Sequence, residues 1–378
     1  MFVELHMIQN FGPSCLNRDD TNTPKDCQFG GYRRARISSQ CLKRAIREYF
    51  NENVTELKGK LGVRTRMLPK KIFDILVEKG KDKETVEIAI KNVLNGIGFK
   101  LDSKDPTKTE VILFLNHDTH DKIANAILAN WDEFSKEKVT KDALKNLDPI
   151  LSQIQEDLNA DIALFGRMVA SKTDLNVDSA SYVAHAVSTH KVDMEMDFFT
   201  AVDDLQEESE SGAGMMGVIM YNSSCFYRYE VVDLGTLISN FNGDFEKAVM
   251  VLKGFIQASI HAIPTGKQTS MAAFSLPDFI LATIREDQPW SLVNAFVNPT
   301  TVGLKNTDLI NQSIKKLSDY FKQMMEMYGS LKEIELYYCK LGDKSYDFLS
   351  EIGSEHASVE SLINSVGDKL FERYSSSP

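Results

Sequence analysis

The side chains best suited to chemistry fall into a few clusters. NHDTHD, residues 116 to 121, offers His117, Asp118, His120 and Asp121. His-x-x-His with no matched second pair nearby is weak as a metal motif, so a polar loop or helix cap is the expectation. His185 and His190 stand five apart in a partly apolar segment and read as core or hydrogen-bonding histidines rather than a catalytic pair. Residues 193 to 210 hold eight acids and no base, Asp193, Asp197, Asp203 and Asp204 among them, without a spacing that marks an acid–base pair. TGKQTS, residues 265 to 270, has the Gly-Lys of a phosphate loop. However, His261 stands where the Walker pattern needs glycine and Gln268 where it needs Ser or Thr, which excludes a nucleoside triphosphatase of that kind. Lys267 and Gln268 remain candidates for a phosphate contact. No nucleophile elbow, dinucleotide fingerprint or zinc-protease motif is present, and no metal or cofactor is expected.

The strongest signal is electrostatic. FGGYRRARISSQCLKRAIRE, residues 29 to 48, gathers Arg33, Arg34, Arg36, Lys43, Arg44 and Arg47. From Lys25 to Lys71 there are thirteen Lys or Arg against four Asp or Glu, a surplus of +9 in a chain whose net charge is −11. A chain so polarised can hold a polyanion on one face and stay soluble through the rest. Arg18 and Lys25 lie in the preceding segment.

The elements that position these cations follow from pattern. VELHMI, residues 3 to 8, reads as a strand, and a long binding loop rich in Gly, Pro, Asn and Asp carries the chain to Gly31. YRRARI is a second strand. Ser38 or Ser39 caps the helix that follows, on which Leu42, Ala45, Ile46, Tyr49 and Phe50 form one apolar stripe. Gln40, Lys43, Arg44 and Arg47 then face the other way. Residues 58 to 181 are mostly helical, with TEVILFL (109 to 115) as one buried strand. Lys136, Lys138, Lys141 and Lys145 cluster there on what is by default a solvated face. Two extended segments around an acidic, Gly-rich middle predict a protruding hairpin over residues 193 to 224. Phe198 and Phe199, on opposite faces of its first strand, should place one ring in the core and leave the other able to stack on a base, unless both pack in the core, which the pattern favours equally. Beyond it come a helix, a loop and strand at PTGKQTSMAAFSLPDFILATIR, another helix and a last strand, KEIELYYCK.

At 378 residues and 43% apolar content there is ample material for one large domain with insertions or for two. Five cysteines without C-x-x-C spacing fit a reducing cytoplasm. No apolar run is long enough to span a bilayer, and no signal peptide or membrane association is expected.

PSCLNRDDTNTPKDCQFGGYRRARISSQCLKRAIR closely resembles the CasC family, the repeated backbone subunit of the type I-E CRISPR surveillance complex called Cascade. AHAVSTHKVD, DFFTAVDDLQ, FYRY and IPTGKQTSMAAF resemble further blocks of that family, in its order. The resemblance implies an α+β fold shaped like a hand. A modified RRM-like (ferredoxin-like) palm would comprise residues 1–57, 182–192 and 225–378, with helical fingers inserted at 58–181 and a β-hairpin thumb at 193–224. It implies a subunit that is not an enzyme and that stacks head to tail with further copies along a CRISPR guide RNA. The guide is then displayed for pairing with target DNA, together with other Cascade subunits.

Carried over by motif, Arg18, Lys25, Ser38, Gln40, Lys43 and Arg47 are expected at the RNA backbone. Met168 is expected beside a kinked base, Phe199 and Thr200 at the flipped nucleotide, and the lysines at 136 to 145 against duplex DNA. Arg33, Arg34, Arg36 and Arg44 join the basic surface by position. The rival from another class is a guide-directed endoribonuclease of the type III kind, which would use a loop aspartate.

Overall fold

The computed structural model describes residues 1–54, 61–156, 158–201, 215–301, 308–329, 334–342 and 346–376. In chain order the strands are β1 (Phe2–Ser14), β2 (Asp26–Phe29), β3 (Tyr32–Ile37), β4 (Val63–Thr65), β5 (Leu113–Leu115) and β6 (Ser181–Val183). They continue with β7 (Ala186–Ser188), β8 (Glu195–Ala201), β9 (Met215–Asp233), β10 (Phe279–Arg285), β11 (Glu335–Lys340) and β12 (Ser354–Glu355). The helix after β3 is α1 (Ser39–Asn53). The fold is mixed α+β. Its chain divides into two compact units, one made of Met1–Tyr49, Tyr182–Val232 and Leu252–Pro378, the other of Phe50–Ser181 and Asp233–Val251.

The first unit is built on a sheet ordered β12-β11-β10-β1-β9-β7-β3-β2, with β8 paired to β9 off that path. Its described pairings are antiparallel apart from β11 with β12. β1 runs to Ser14, well beyond the six residues expected, and is buried on both faces along Val3 to Gln9. Two layers therefore cover it, and the polar residues it carries must find partners inside. Glu4 accepts from the Tyr229 hydroxyl (2.6 Å), the Thr283 hydroxyl (2.8 Å) and the Trp290 main-chain N–H (2.6 Å). The Arg285 guanidinium lies over the Trp290 ring at 3.6 Å. His6 bonds through Nδ1 to the Tyr227 hydroxyl at 2.8 Å.

Burial first, and then the Arg285 charge, push the His6 pKa from 6.5 down to about 3. The folded state thus requires His6 neutral, while the unfolded chain protonates it near its ordinary value. This stabilisation is complete above about pH 6.5 and is lost as pH falls toward 3, at about 1.4 kcal/mol per pH unit. Unfolding free energy measured from pH 7 to pH 4 is expected to fall more steeply for the wild type than for His6→Gln, by the slope of about one proton. Parallel profiles would contradict the assignment.

The second unit packs helices Leu68–Glu78, Lys83–Gly96 and Thr119–Ala129 around Ile72, Leu76, Val86, Val93, Ile123 and Ile127. The 3.6-residue periodicity of those segments is the cause. The long periodic stretches are broken, however. The one after Thr119 continues as a separate short helix at Trp131–Phe134, and the one after Asp148 forms two described helices, Asp148–Glu156 and Ala160–Phe165, with Leu158 and Asn159 outside both. The strand expected at 109 to 115 is only β5, which pairs with β4, while Val111 and Ile112 are exposed. No helix among the described residues is long and apolar enough to cross a membrane.

Candidate nucleic-acid interface

Residues 9 to 31 are more ordered than their composition implies. β1 takes the first six, and β2 forms a hairpin with β3 that pairs Phe29 with Tyr32 across Gly30 and Gly31. Both glycines have positive φ (62° and 80°), as a tight two-residue hairpin turn requires. A side chain at Gly30 would also collide with the carbonyl of Val297. The remaining loop is braced from within. The Asp19 carboxylate accepts from the main-chain N–H groups of Thr21 and Thr23 (2.9 Å each), and these bonds, that of Thr23 foremost, hold its pKa below the usual range. Arg18 is exposed at the tip and donates to Asn22.

Asn17 ties this loop to α1 by accepting from the Ser38 main-chain N–H (2.9 Å), and the Ser38 hydroxyl accepts from the Cys41 N–H (3.3 Å). Ser38 is thus the N-cap. Along α1, Leu42, Ala45, Ile46 and Phe50 are buried. Tyr49, expected in that stripe, is half-buried and stacks on His261 at 5.6 Å. The outward side carries Gln40 and Arg44, both exposed, with Lys43 and Arg47 half-buried. Arg44 pairs with Glu48 one turn on (2.7 Å), so part of its charge is answered within the helix. A cleft of about 400 Å³ runs between the loop and α1, lined by Asn17, Arg18, Cys41, Arg44, Glu48 and Gly266 among others. Gly266 is required there, because a Cβ would strike the carbonyls of Cys15 and Leu16.

Three of the residues expected at the RNA are engaged within the protein. Arg34 is fully buried, with its guanidinium donating to the carbonyls of Ser188 (2.9 Å), Phe296 (2.6 Å) and Val297 (3.2 Å). Burial lowers its pKa, and it is a structural clamp rather than a ligand contact. Ser38, 5% exposed, uses its oxygen on the helix cap. Gln268 uses its amide N–H₂ to bridge the carbonyls of Pro264 and Ala273 (3.0 Å each), bracing a loop in which Lys267 adopts a left-handed conformation. That loop contains a short helix, Gln268–Met271, before β10. Of the other arginines, Arg33 pairs with Asp26, and Arg36 donates to the Asp26 carbonyl (3.2 Å) and approaches His185 Nδ1 (3.2 Å).

β8 pairs with β9 over Glu195 to Ala201, and residues 202–214, with Asp203, Asp204 and the rest of the acidic run, lie outside the described residues. Neither phenylalanine enters the core, against the expectation that one would. Phe198 is 62% exposed, while Phe199 is half-buried with its ring over Gly217, where a Cβ would collide with it. Thr200 is exposed opposite Met216.

Met168 and the lysine cluster belong to the second unit. Met168 is 83% exposed, following Arg167, whose buried guanidinium donates to the carbonyls of Leu175 (2.6 Å) and Ile154 (3.2 Å). Lys136 pairs with Glu133 and Lys145 with Asp142 (2.8 Å each), Lys138 is exposed, and the side chain of Lys141 lies outside the described residues. The residues of NHDTHD pair locally, Asp118 with Lys122 at 3.0 Å and His120 with Asp121 at 3.5 Å. Among the described residues no three His, Cys, Asp or Glu converge as metal ligands. His190 accepts through Nε2 from the Cys225 main-chain N–H (3.3 Å), a structural bond. Pattern reading gave Asn17 no role and His185 no particular partner, since their partners lie 21 and 146 positions away in the chain.

The first unit is a mixed α+β scaffold that presents a basic, loop-braced helix face. The family model described as CT1975-like protein matches residues 3–365, and the chain belongs to that family. A solved chain described as a CRISPR RNA-guided surveillance complex, pre-nicking, is 30% identical and superposes with a TM-score of 0.87, covering 98% of this chain and 100% of that one. A second, described as a CRISPR RNA-guided surveillance complex, is 24% identical over 98% of this chain and 100% of that one, with a TM-score of 0.76, and is alike in fold. No curated protein matches the chain.

Proposed function

We propose that this chain binds CRISPR guide RNA as the repeated, non-cutting backbone of a type I-E surveillance complex in the cytoplasm. The observation that carries the reading is the face of α1. Gln40, Lys43 and Arg47 stand along it, with Arg36 at its start and Arg18 on the loop beside it, in a chain 30% identical over 98% of its length to one from an RNA-guided complex. Cations on a helix surface neutralise backbone phosphates and read no sequence. A guide holder needs that property, because pairing to target DNA supplies the specificity.

The RRM-like palm is supported by the strand order β10-β1-β9-β7, with α1 after β1 and the helix Phe245–His261 between β9 and β10. In this reading the second unit holds the fingers and the β8–β9 hairpin is the thumb. Phe199 and Thr200, toward the end of β8, border a flipped nucleotide, Met168 packs beside a kinked base, and the lysines at 136 to 145 meet the DNA. Copies stack head to tail, a contact that extends without closing. Sizing the purified chain with and without a guide RNA tests this. Discrete oligomers that form only on RNA are expected. An RNA-bound monomer would contradict the stacking, and metal-dependent cutting of complementary RNA that is lost in Asp197→Asn would favour the endoribonuclease.

A further inference from the structure

We propose that His185 is a neutral hydrogen-bond donor to a phosphodiester of the bound RNA, acting through Nε2–H beside Arg36 and Lys25. The inference rests on the guide-binding reading and adds a residue of a different kind to it.

His185 lies between β6 and β7 with its ring exposed. Its Nδ1 is 3.2 Å from the main-chain nitrogen of Ser39, at the start of α1, and 3.2 Å from Arg36 Nη1. A main-chain N–H and a guanidinium can only donate. Two donors aimed at one ring nitrogen require a lone pair there, so the proton of the neutral imidazole sits on Nε2. A proton on Nδ1 would instead face both donors. Burial, then the charges of Arg36 and Lys25, keep the His185 pKa below its ordinary value, in the same direction.

Nε2 has no hydrogen-bond partner among the described residues. Among the described residues, the charged groups that bear on the ring are Arg36 on β3 and Lys25 ahead of β2. Arg36 is itself held by the Asp26 carbonyl. The ring therefore offers one neutral N–H, with two cations bearing on it. Base edges present donors and acceptors together. A phosphodiester oxygen presents acceptors alone and carries the charge that Arg36 and Lys25 answer.

A neutral donor displaces no counterion, so its contribution differs in kind from that of a lysine. The test is a titration of a guide-length RNA oligonucleotide at several salt concentrations. His185→Asn keeps an acceptor near the Nδ1 position for Ser39 but has no atom at Nε2. It is expected to bind about tenfold more weakly, with the slope of log K against log salt unchanged, and His185→Gln, whose amide reaches the Nε2 position, to recover part of the loss. Arg36→Gln is the control, expected to weaken binding and flatten the slope by about one. Wild-type affinity in His185→Asn beside a weakened Arg36→Gln would overturn the His185 assignment alone. A flattened slope in His185→Asn would overturn it too, by showing a cation. No effect in either variant would overturn the guide-binding reading as well.

Discussion

Replacing Arg228 with alanine is expected to destabilise the fold by about 3–5 kcal/mol, the largest single effect on stability among these predictions. The guanidinium is 1% exposed and donates to Gln9 Oε1 (2.8 Å), Glu230 Oε1 (2.8 Å) and the carbonyl of Ser259 (2.7 Å). Glu230 is fully buried, and among the described residues its ion pair is with Arg228. Truncation removes the cation and leaves a carboxylate in a dry interior, together with two acceptors without their donor. The buried pair itself need not be stabilising, since the desolvation of both ions opposes their attraction. Arg228→Met combined with Glu230→Leu should therefore recover most of the loss. Denaturant unfolding midpoints of the three proteins decide it. A single variant within about 1 kcal/mol of wild type would mean that the pair is solvated and the interior assignment wrong.

The largest functional effect is expected from Lys43→Glu together with Arg47→Glu. Both side chains are half-buried on the outward side of α1, so each stem is positioned while its charge remains at the surface. If the guide runs along this face, reversing these two charges should weaken guide binding by about 100-fold near physiological salt and lower the salt slope by about two. Because Leu42, Ala45 and Ile46 hold the helix, its circular dichroism and unfolding midpoint should stay close to those of the wild type. Unchanged salt dependence in a folded double variant would place the RNA on another face.

The parts of this interface that could be read in the sequence are those set by local rules. A Ser followed by an apolar stripe at helical spacing gave the start and buried side of α1, and two extended runs around a Gly-rich middle gave β8 and β9. The parts that could not be read depend on distant partners. Arg33, Arg34 and Arg36 are alike in composition, yet Arg34 turns inward because carbonyls 154, 262 and 263 positions away receive it. β1 extends through Gly12 and Pro13, which read as loop residues. Glu4 and His6 look misplaced in a buried strand until Tyr227, Tyr229, Thr283 and Trp290 are brought to them. The grouping of 233–251 with the largely helical unit likewise has no local signature. The phenylalanine pair failed for a different reason. Alternation says which face a residue takes, but the hairpin stands away from the core, so neither face is buried there.

The proposed role is that of a repeated subunit that holds guide RNA without cutting it, its copies set by the length of the RNA. The direct measurement is the mass of the complexes formed on two guide RNAs that differ only in spacer length. The account predicts more copies of the chain on the longer RNA, in whole-subunit steps, with both guides recovered intact. The same number of copies on both lengths would contradict it.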